Sequence, residues 1–334
     1  MTWLVTGGAG YVGSHVVRAF IDNDIKVMVY DDFSSGRREF VPSGVPIIEA
    51  SITDADSLAQ VLHTPGITGV VHVAGLKYAG VSVQDPLEFY RVNVEGTRVL
   101  LAQCVAADVR NFVFSSSASV FGTPDVDLVT EESALNPESP YGESKVIGEW
   151  LLRDLARAEA LQGRPPFRHT SLRYFNVVGS GAPGVYDVSP HNLFPILLDA
   201  VSEERRPELF GDDYATPDGS CVRDYIHVAD VAAAHVLAAR ALAADRSLAP
   251  AYNLGRGEGV SVREIIAAVE AVVGRAVPYD VGPRRAGDPA RIVTSADLAR
   301  AELGWKASED LLEMVASAWK AWTDASVEGS ARLG

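Results

Sequence analysis

Trp3-Leu4-Val5-Thr6 runs straight into Gly7-Gly8-Ala9-Gly10-Tyr11-Val12-Gly13, and an apolar helical spacing, Val12, Val16, Val17 and Phe20, follows. A lone glycine triplet carries little information. One that closes an apolar run and opens a helix is a dinucleotide fingerprint. Gly8 and Gly10 permit a tight turn and close approach of a ligand to the backbone. Gly13 lets the helix pack on the strand, and a pyrophosphate is expected on the free N–H groups at the helix N-terminus. The next apolar run, Lys26-Val27-Met28-Val29-Tyr30, ends in Asp31-Asp32, which begins 18 residues after Gly13. Carboxylates there accept bonds from ribose hydroxyls and repel a 2′-phosphate, so NAD is expected rather than NADP. Arg37 and Arg38, close behind, are the residues that argue the other way.

Outward from this turn, apolar runs recur at 2–6, 25–30, 46–49, 69–74, 111–116, 169–175 and 251–254. Helical segments separate them at 12–22, 54–63, 86–107, 142–161 and 227–244. This alternation predicts an α/β fold, a doubly wound Rossmann-type parallel sheet with helices on both faces. Beyond residue 176 glycine and proline become frequent and the loops lengthen between helices near 191–202, 261–273, 295–302 and 309–322. The expected division is a nucleotide-binding domain over 1–176, with 226–254 returning to it, and a smaller mixed α/β C-terminal substrate lobe over 177–225 and 255–334. Residues 326–334 read as a loose tail, and Trp319 and Trp322 as core packing.

The chain has 334 residues, 47% hydrophobic and 22% charged, with a net charge of −15. Such a field repels nucleic acid and anionic membrane, and no basic stripe counters it, so neither is an expected partner. No run of 18 apolar residues offers a membrane span. With the first strand starting at residue 2 or 3, no signal peptide is expected. Two cysteines, Cys104 and Cys221, make neither a disulfide framework nor a metal-ligand spacing, and read as thiols in a reducing cytoplasm. No metal site is expected.

Tyr141 and Lys145 stand at i and i+4 at the start of a helical segment, after Ser139-Pro140, and so share a face. An ammonium beside a phenol is expected to lower its pKa, making Tyr141 a general acid/base near neutral pH. Ser115-Ser116-Ser117 closes the fifth strand, where one hydroxyl can orient a reacting alcohol oxygen; the spacing alone does not say which. A Ser/Tyr/Lys set beside a nicotinamide suits hydride chemistry on an alcohol. Arg223 and Arg285, in the later lobe, suit a diphosphate against an acidic background. Their competing reading is ion pairing with Asp224 and Asp288.

The motifs together resemble the extended short-chain dehydrogenase/reductase family over nearly the whole chain. They are Thr6 to His15, Ala74-Gly75-Leu76-Lys77, Asn93 to Thr97, Phe114 to Ala118, Ser139 to Lys145 and Leu172 to Asn176. The later stretches Phe210 to Tyr214, Pro217 to His227 and Pro283 to Asp288 are similar to its nucleotide-sugar epimerases in particular. The resemblance implies a tightly held NAD, a UDP-sugar substrate, inversion of C4 of a UDP-hexose through a transient 4-keto sugar, and a homodimer built on the helices near 86–107 and 142–161. It implies Ser117, Tyr141 and Lys145 as the catalytic set. Cofactor contacts would be Gly7, Gly10, Tyr11, Val12, Gly13, Asp31, Asp32, Ser51, Ile52, Ala74, Gly75, Lys77, Asn93, Tyr141, Lys145 and Phe175. Substrate contacts would be Lys77, Ser117, Tyr141, Asn176, Asn192, Leu193, Phe210, Arg223, Arg285 and Asp288. Ser51 stands where the family often carries an acidic residue toward adenine. Ile292, four residues after Asp288, stands where bulk helps decide whether an N-acetylated sugar fits. Ser116-Ser117-Ala118-Ser119 lacks the Asp-Glu pair that a 4,6-dehydratase needs. The remaining rivals are a 4-epimerase of another UDP-sugar, N-acetylhexosamine or pentose, and a non-catalytic NAD-binding regulator.

Overall fold

The computed structural model describes residues 1–285 and 288–331, with side chains through 325. Ala286 and Gly287, within one of the motifs above, and residues 332–334 of the expected tail lie outside the described residues.

The chain begins β1 (Thr2–Thr6), α1 (Tyr11–Asp22), β2 (Lys26–Asp31), β3 (Ile47–Glu49), α2 (Ala55–Leu62) and β4 (Ile67–His72). It continues with α3 (Ala79–Gln84), α4 (Pro86–Phe89), a π-helical stretch Tyr90–Glu95, α5 (Gly96–Ala106), β5 (Asn111–Ser117), α6 (Pro140–Leu161), β6 (Arg168–Tyr174) and β7 (Asn176–Val178). Then come α7 (Leu193–Ser202), β8 (Glu208–Phe210), β9 (Val222–His227), α8 (Val228–Ala243), β10 (Ala251–Leu254), β11 (Gly259–Ser261) and α9 (Val262–Val273). The last elements are β12 (Asp280–Gly282), β13 (Arg291–Ile292), α10 (Asp297–Leu303) and α11 (Leu311–Ala331).

Seven strands form one parallel sheet in the order β10-β6-β5-β4-β1-β2-β3. Successive residues of a strand point to opposite faces, and here both faces are covered. Trp3 and Val5 join α1 and α8 in one apolar cluster, while Leu4 joins α2, α5 and α6 in another. That two-sided burial is why the strands read as unbroken apolar runs. Val16, Val17 and Phe20 of α1 are fully buried, each stabilising by about 1.5–3 kcal/mol. The chain winds outward from β1 to β3 and returns to β4 on the other side of β1, so the ends of β1 and β4 diverge into a crevice.

The expected doubly wound sheet is thus present, with α8 and β10 returning to it. The remainder carries two smaller sheets. In one, β9 pairs with β7 and β13 in parallel and with β11 antiparallel; in the other, β8 pairs with β12. A third apolar cluster joins α7, α9 and α11.

Three expectations need correction. The strand expected at 69–74 spans Ile67–His72, although the N–H groups of Val73 and Ala74 still reach Thr6 O at 3.0 Å before the chain turns at Gly75. The single helix expected over 86–107 is α4, the π-helical stretch and α5. An extra residue per turn rotates a helix's register locally, and Asn93 within it is buried. The tail expected from residue 326 is helical as far as Ala331.

Asp224, on β9, is fully buried, and its carboxylate accepts N–H bonds from Arg256 at 2.8 Å and Gly257 at 3.0 Å. Burial pushes its pKa up to about 6 while those bonds pull it down. An unfolded aspartate titrates near 3.9. The folded state therefore holds the proton more tightly, and this group's contribution to stability is lost as pH rises through about 6. Relative to the parent, Asp224→Asn is expected to gain stability between pH 4 and 7, by at most about 3 kcal/mol. Melting temperatures of both proteins across that range are the check, and a difference that stays flat with pH overturns it.

Candidate active site

The glycine turn is packed too tightly to admit side chains. A Cβ on Gly13 would lie 2.0 Å from Gly7 O, and Gly7 itself sits at φ +70°. Gly10 caps α1 without a side-chain bond, so the first-turn N–H groups face the cleft. Asp31 braces the turn. Its Oδ2 accepts from Ala9 N and its Oδ1 from Phe33 N, each at 2.9 Å. Burial pushes the Asp31 pKa up, and the same two N–H groups oppose the rise. Asp32 beside it accepts from Ser34 N at 3.0 Å, and both acids line the cleft. The two nearby arginines are engaged elsewhere. Arg37 donates to the Tyr186 hydroxyl at 2.8 Å and lies over the Phe40 ring, and Arg38 pairs with Glu49 and lies over Phe33.

A single cleft of about 660 Å³ runs from this turn past β5 and the start of α6 to β8 and β9. Of the residues expected to bind cofactor or substrate, all but Ser51 and Asn93 line it. Ser51 is turned to Thr53 Oγ1 at 3.0 Å, and Ile52 beside it faces the cleft. Asn93 stands behind the wall. Its Oδ1 accepts from Leu76 N at 2.8 Å and its Nδ2 donates to Leu76 O at 2.9 Å, which holds the Gly75-Leu76-Lys77 turn in place.

Ser139 caps α6 by accepting from Gly142 N, and Pro140 fits the first turn, where no N–H is needed. Tyr141 and Lys145 therefore emerge on the face toward β5. Ser117 faces the Tyr141 phenol, and its hydroxyl donates to Ser119 Oγ at 3.2 Å. The Lys145 ammonium donates to Ser115 O at 2.9 Å and lies 5.8 Å from the Tyr141 ring centre. Here the expected electrostatics are corrected. Burial pushes the Tyr141 phenol up, with the Ser117 bond acting against it, and burial pulls Lys145 down to about 8. Desolvation of each group sets the direction of its shift.

At the far end, Arg223 pairs with Asp288, as the competing reading had it, and Arg285 lies 3.9 Å from the Phe210 ring centre. One guanidinium is thus neutralised and the other stacked, and both still face the cleft. Asn192 Nδ2 donates to Asp187 at 2.5 Å, and Lys77 pairs with the same carboxylate at 3.3 Å. Asn176, Leu193 and Phe175 line the same cleft. Ile292 does not line the cleft; it belongs to the apolar cluster of Phe121 and Phe175. His227 caps α8 through its Nδ1, a structural role.

Sequence reasoning missed Tyr186 and Asp187, which lie in a Gly/Pro-rich loop whose length was the one available signal. It also missed a second role for Trp322. That residue packs against the α7–α9–α11 cluster as expected, and also lines the cleft with its ring 5.6 Å from Tyr186.

A glycine cradle at the switch point of a parallel sheet, open to a Ser–Tyr–Lys set, defines a nicotinamide-dependent enzyme of the short-chain dehydrogenase/reductase class. More narrowly, the chain belongs to the NAD dependent epimerase/dehydratase family, whose sequence profile matches residues 3–255. It is similar to the UDP-glucose 4-epimerase of Azospirillum brasilense, 41% identical over 96% of this chain and 91% of that protein. It is also similar to the UDP-glucose 4-epimerase of Corynebacterium glutamicum, 40% identical over 96% and 95% of the two chains. Among solved structures, the UDP-glucose 4-epimerase of Stenotrophomonas maltophila, with bound NAD and formylated UDP-arabinopyranose, superposes with a TM-score of 0.91 at 37% identity over 100% of both chains. The Bifidobacterium longum enzyme in complex with NAD+ and UDP gives 0.87 at 36% identity, over 97% and 98% of the two chains.

Proposed function

We propose that this protein is an NAD-dependent UDP-glucose 4-epimerase, inverting C4 of a UDP-hexose between UDP-galactose and UDP-glucose through a transient 4-keto sugar. The observation that carries this reading is one cleft holding the glycine cradle, Ser117, Tyr141 and Lys145, and the Arg223/Arg285 end together. The cradle fits NAD: no Cβ can enter at Gly7 or Gly13, and Asp31 and Asp32 face the cleft. When bound, NAD supplies the hydride acceptor and a positive charge.

The chain's own groups do the rest. Tyr141 takes the 4-hydroxyl proton and later returns it, Ser117 orients the reacting oxygen, and Lys145 holds its ammonium against Ser115 O beneath the phenol. Tyr11, Val12, Ile52, Lys77 and Phe175 hold the cofactor, and Asn93 fixes the turn that carries Lys77. Arg223, Arg285, Phe210, Asn176, Asn192, Leu193 and Asp288 grip the UDP end, leaving the sugar free to turn. Binding energy from that remote group retains the intermediate. On this reading residues 1–176 with 226–254 form the NAD domain, and 177–225 with 255–334 the UDP-sugar lobe.

Val83, Leu87 and Trp150 are exposed on α3, α4 and α6, an apolar face suited to the homodimer proposed here; a monomer in sedimentation overturns that part. A cytoplasmic location is proposed with it, in keeping with Cys104 and Cys221 as free thiols. Among the described residues no helix is long and apolar enough to cross a membrane.

The test follows conversion of UDP-galactose to UDP-glucose without added cofactor, and repeats it with UDP-N-acetylgalactosamine and a UDP-pentose. Turnover of the hexose pair supports the proposal. Turnover of another sugar alone reassigns the substrate, and no turnover of any removes the epimerase reading.

A further inference from the structure

Two consecutive residues of β5 are tied to α6 one turn apart. Ser115 O accepts from Lys145 Nζ at 2.9 Å, and Ser116 Oγ donates to Glu149 Oε1 at 2.6 Å, while Ser117 faces the Tyr141 phenol. Tyr141, Lys145 and Glu149 stand at i, i+4 and i+8, so the three side chains share one stripe of the helix. The first two belong to the reacting set. Glu149 does not line the cleft, and the chemistry described so far gives it no task. Yet its carboxylate is also gripped in two-pronged fashion by Arg173, with Nε at 2.9 Å and Nη2 at 2.6 Å, and the two side chains are only 9% and 6% exposed. Arg173 is in turn seated over the Phe121 ring and reaches Glu131 O.

We propose that Glu149, locked to Arg173, is a positioning residue for the C4 inversion: it sets the register of α6 on β5 and offsets the buried charge of Lys145. This rests on the epimerase reading above. The register argument is geometric. A slip of α6 along β5 breaks the ties at Lys145 and Glu149 together, and the Glu149–Arg173 pair to β6 opposes it, because breaking that pair leaves uncompensated buried charge. The electrostatic argument follows from what faces Lys145. From α6 these are Tyr141 and Glu149. From β4 comes His72, held neutral by burial and pulled down to about 3, with the Lys145 charge adding to the effect. From β6 come Arg173 and the Tyr174 phenol, pushed up by burial. From α8 comes His235, hydrogen-bonded to Ser115 Oγ at 3.1 Å and held neutral, pulled down to about 4 by burial. Among these, Glu149 alone carries negative charge, and its attraction raises the Lys145 pKa against burial. Neutralising it leaves Arg173 unopposed.

The experiment compares the parent holoenzyme with E149Q, E149D and E149Q/R173M. It reads kcat and KM for UDP-galactose from pH 6 to 10, and the titration of Lys145 by NMR of 13Cε-lysine. The chain has only five lysines, which makes the Lys145 signal separable. E149Q is expected to lower kcat about tenfold with KM within twofold, and to move both the alkaline limb of kcat and the Lys145 midpoint down by one pH unit or more. E149D is expected to keep the midpoint while losing part of kcat, because charge survives and register does not. Removing Arg173 as well is expected to return the midpoint most of the way. Should E149Q not fold, E149D carries the test: full kcat, or a midpoint moved with the charge kept, overturns the proposal. A uniform fall in kcat with limb and midpoint unmoved, or full activity of E149Q, overturns the proposal. Absence of turnover in the parent strikes instead at the epimerase reading, while the Lys145 midpoint still judges this one.

Discussion

Tyr141→Phe is expected to leave a folded, NAD-loaded protein whose kcat for UDP-galactose is lower by a factor of about 10²–10⁴, the usual worth of a positioned acid/base. The change removes one oxygen and keeps the ring that packs beneath Lys145. Tyr141's backbone N–H still donates to Ser82 Oγ at 3.1 Å, so the start of α6 stays anchored. What disappears is the group that accepts and returns the 4-hydroxyl proton. No neighbour is suited to take over. Tyr174 lines the same cleft, but it stands on β6 rather than one turn before Lys145 on α6, and burial pushes its phenol up as well. Because the UDP end is gripped at Arg223 and Arg285, away from the lost oxygen, KM is expected to stay within about threefold. Kinetics with purified protein, alongside a melting curve within about 2 °C of the parent, are the check. A variant within tenfold of the parent's kcat refutes the assignment of Tyr141.

The features legible in the sequence are those whose physics is local. Gly7 to Gly13 is a run of neighbours, and its placement between an apolar strand and an amphipathic helix is written in adjacent residues. Tyr141 and Lys145 are one turn apart, so their shared face follows from helix geometry alone. The seven strands were legible because burial on both faces leaves no polar alternation to confuse the reading. What was illegible comes from contacts between distant segments or from what closes over a site. Lys77 and Asp187 are 110 residues apart, and Arg37 and Tyr186 are 149 apart. Nothing in either neighbourhood announces the partner. Asn93 is turned behind the wall by a local rewinding of its helix that spacing does not disclose. The direction of the Tyr141 shift fails for the same reason. The i, i+4 ammonium is visible in sequence, but the desolvation that gives the shift its direction is set by β5, β6 and the lobe packed around the phenol. The three serines show the limit most plainly. Sequence could not choose among them, and in the fold their hydroxyls turn to His235, Glu149 and Ser119 respectively.

Gly13→Ala is expected to be a severely damaging single methyl, costing both stability and the cofactor. Its Cβ would lie 2.0 Å from Gly7 O, 2.8 Å from Gly7 C and 2.9 Å from Gly8 Cα. All three are backbone atoms, which cannot swing aside as a side chain can. Relief requires either the turn or α1 to move. The turn is held by Asp31 through Ala9 N, and by Gly7 N donating to Tyr30 O at 2.9 Å. The helix is held by Val16, Val17 and Phe20, none of which can lift from the core without re-exposing apolar surface. Overpacking of this kind costs about 1–3 kcal/mol or more, which in a chain of this size lowers the melting temperature by about 1.5–4 °C or more. Whichever element yields, the first-turn N–H groups of α1 no longer converge on the diphosphate position, so purified protein is expected to carry little nicotinamide. Gly80→Ala is the matched control. It adds the same methyl inside α3, where nothing lies within 4 Å, and is expected to leave the melting temperature unchanged or raised by the better helix propensity of alanine. Melting curves and the nicotinamide content of the two purified variants decide the matter. A Gly13→Ala protein that melts within 1 °C of the parent and retains its full nicotinamide shows that the cradle is not the close-packed anion site described here.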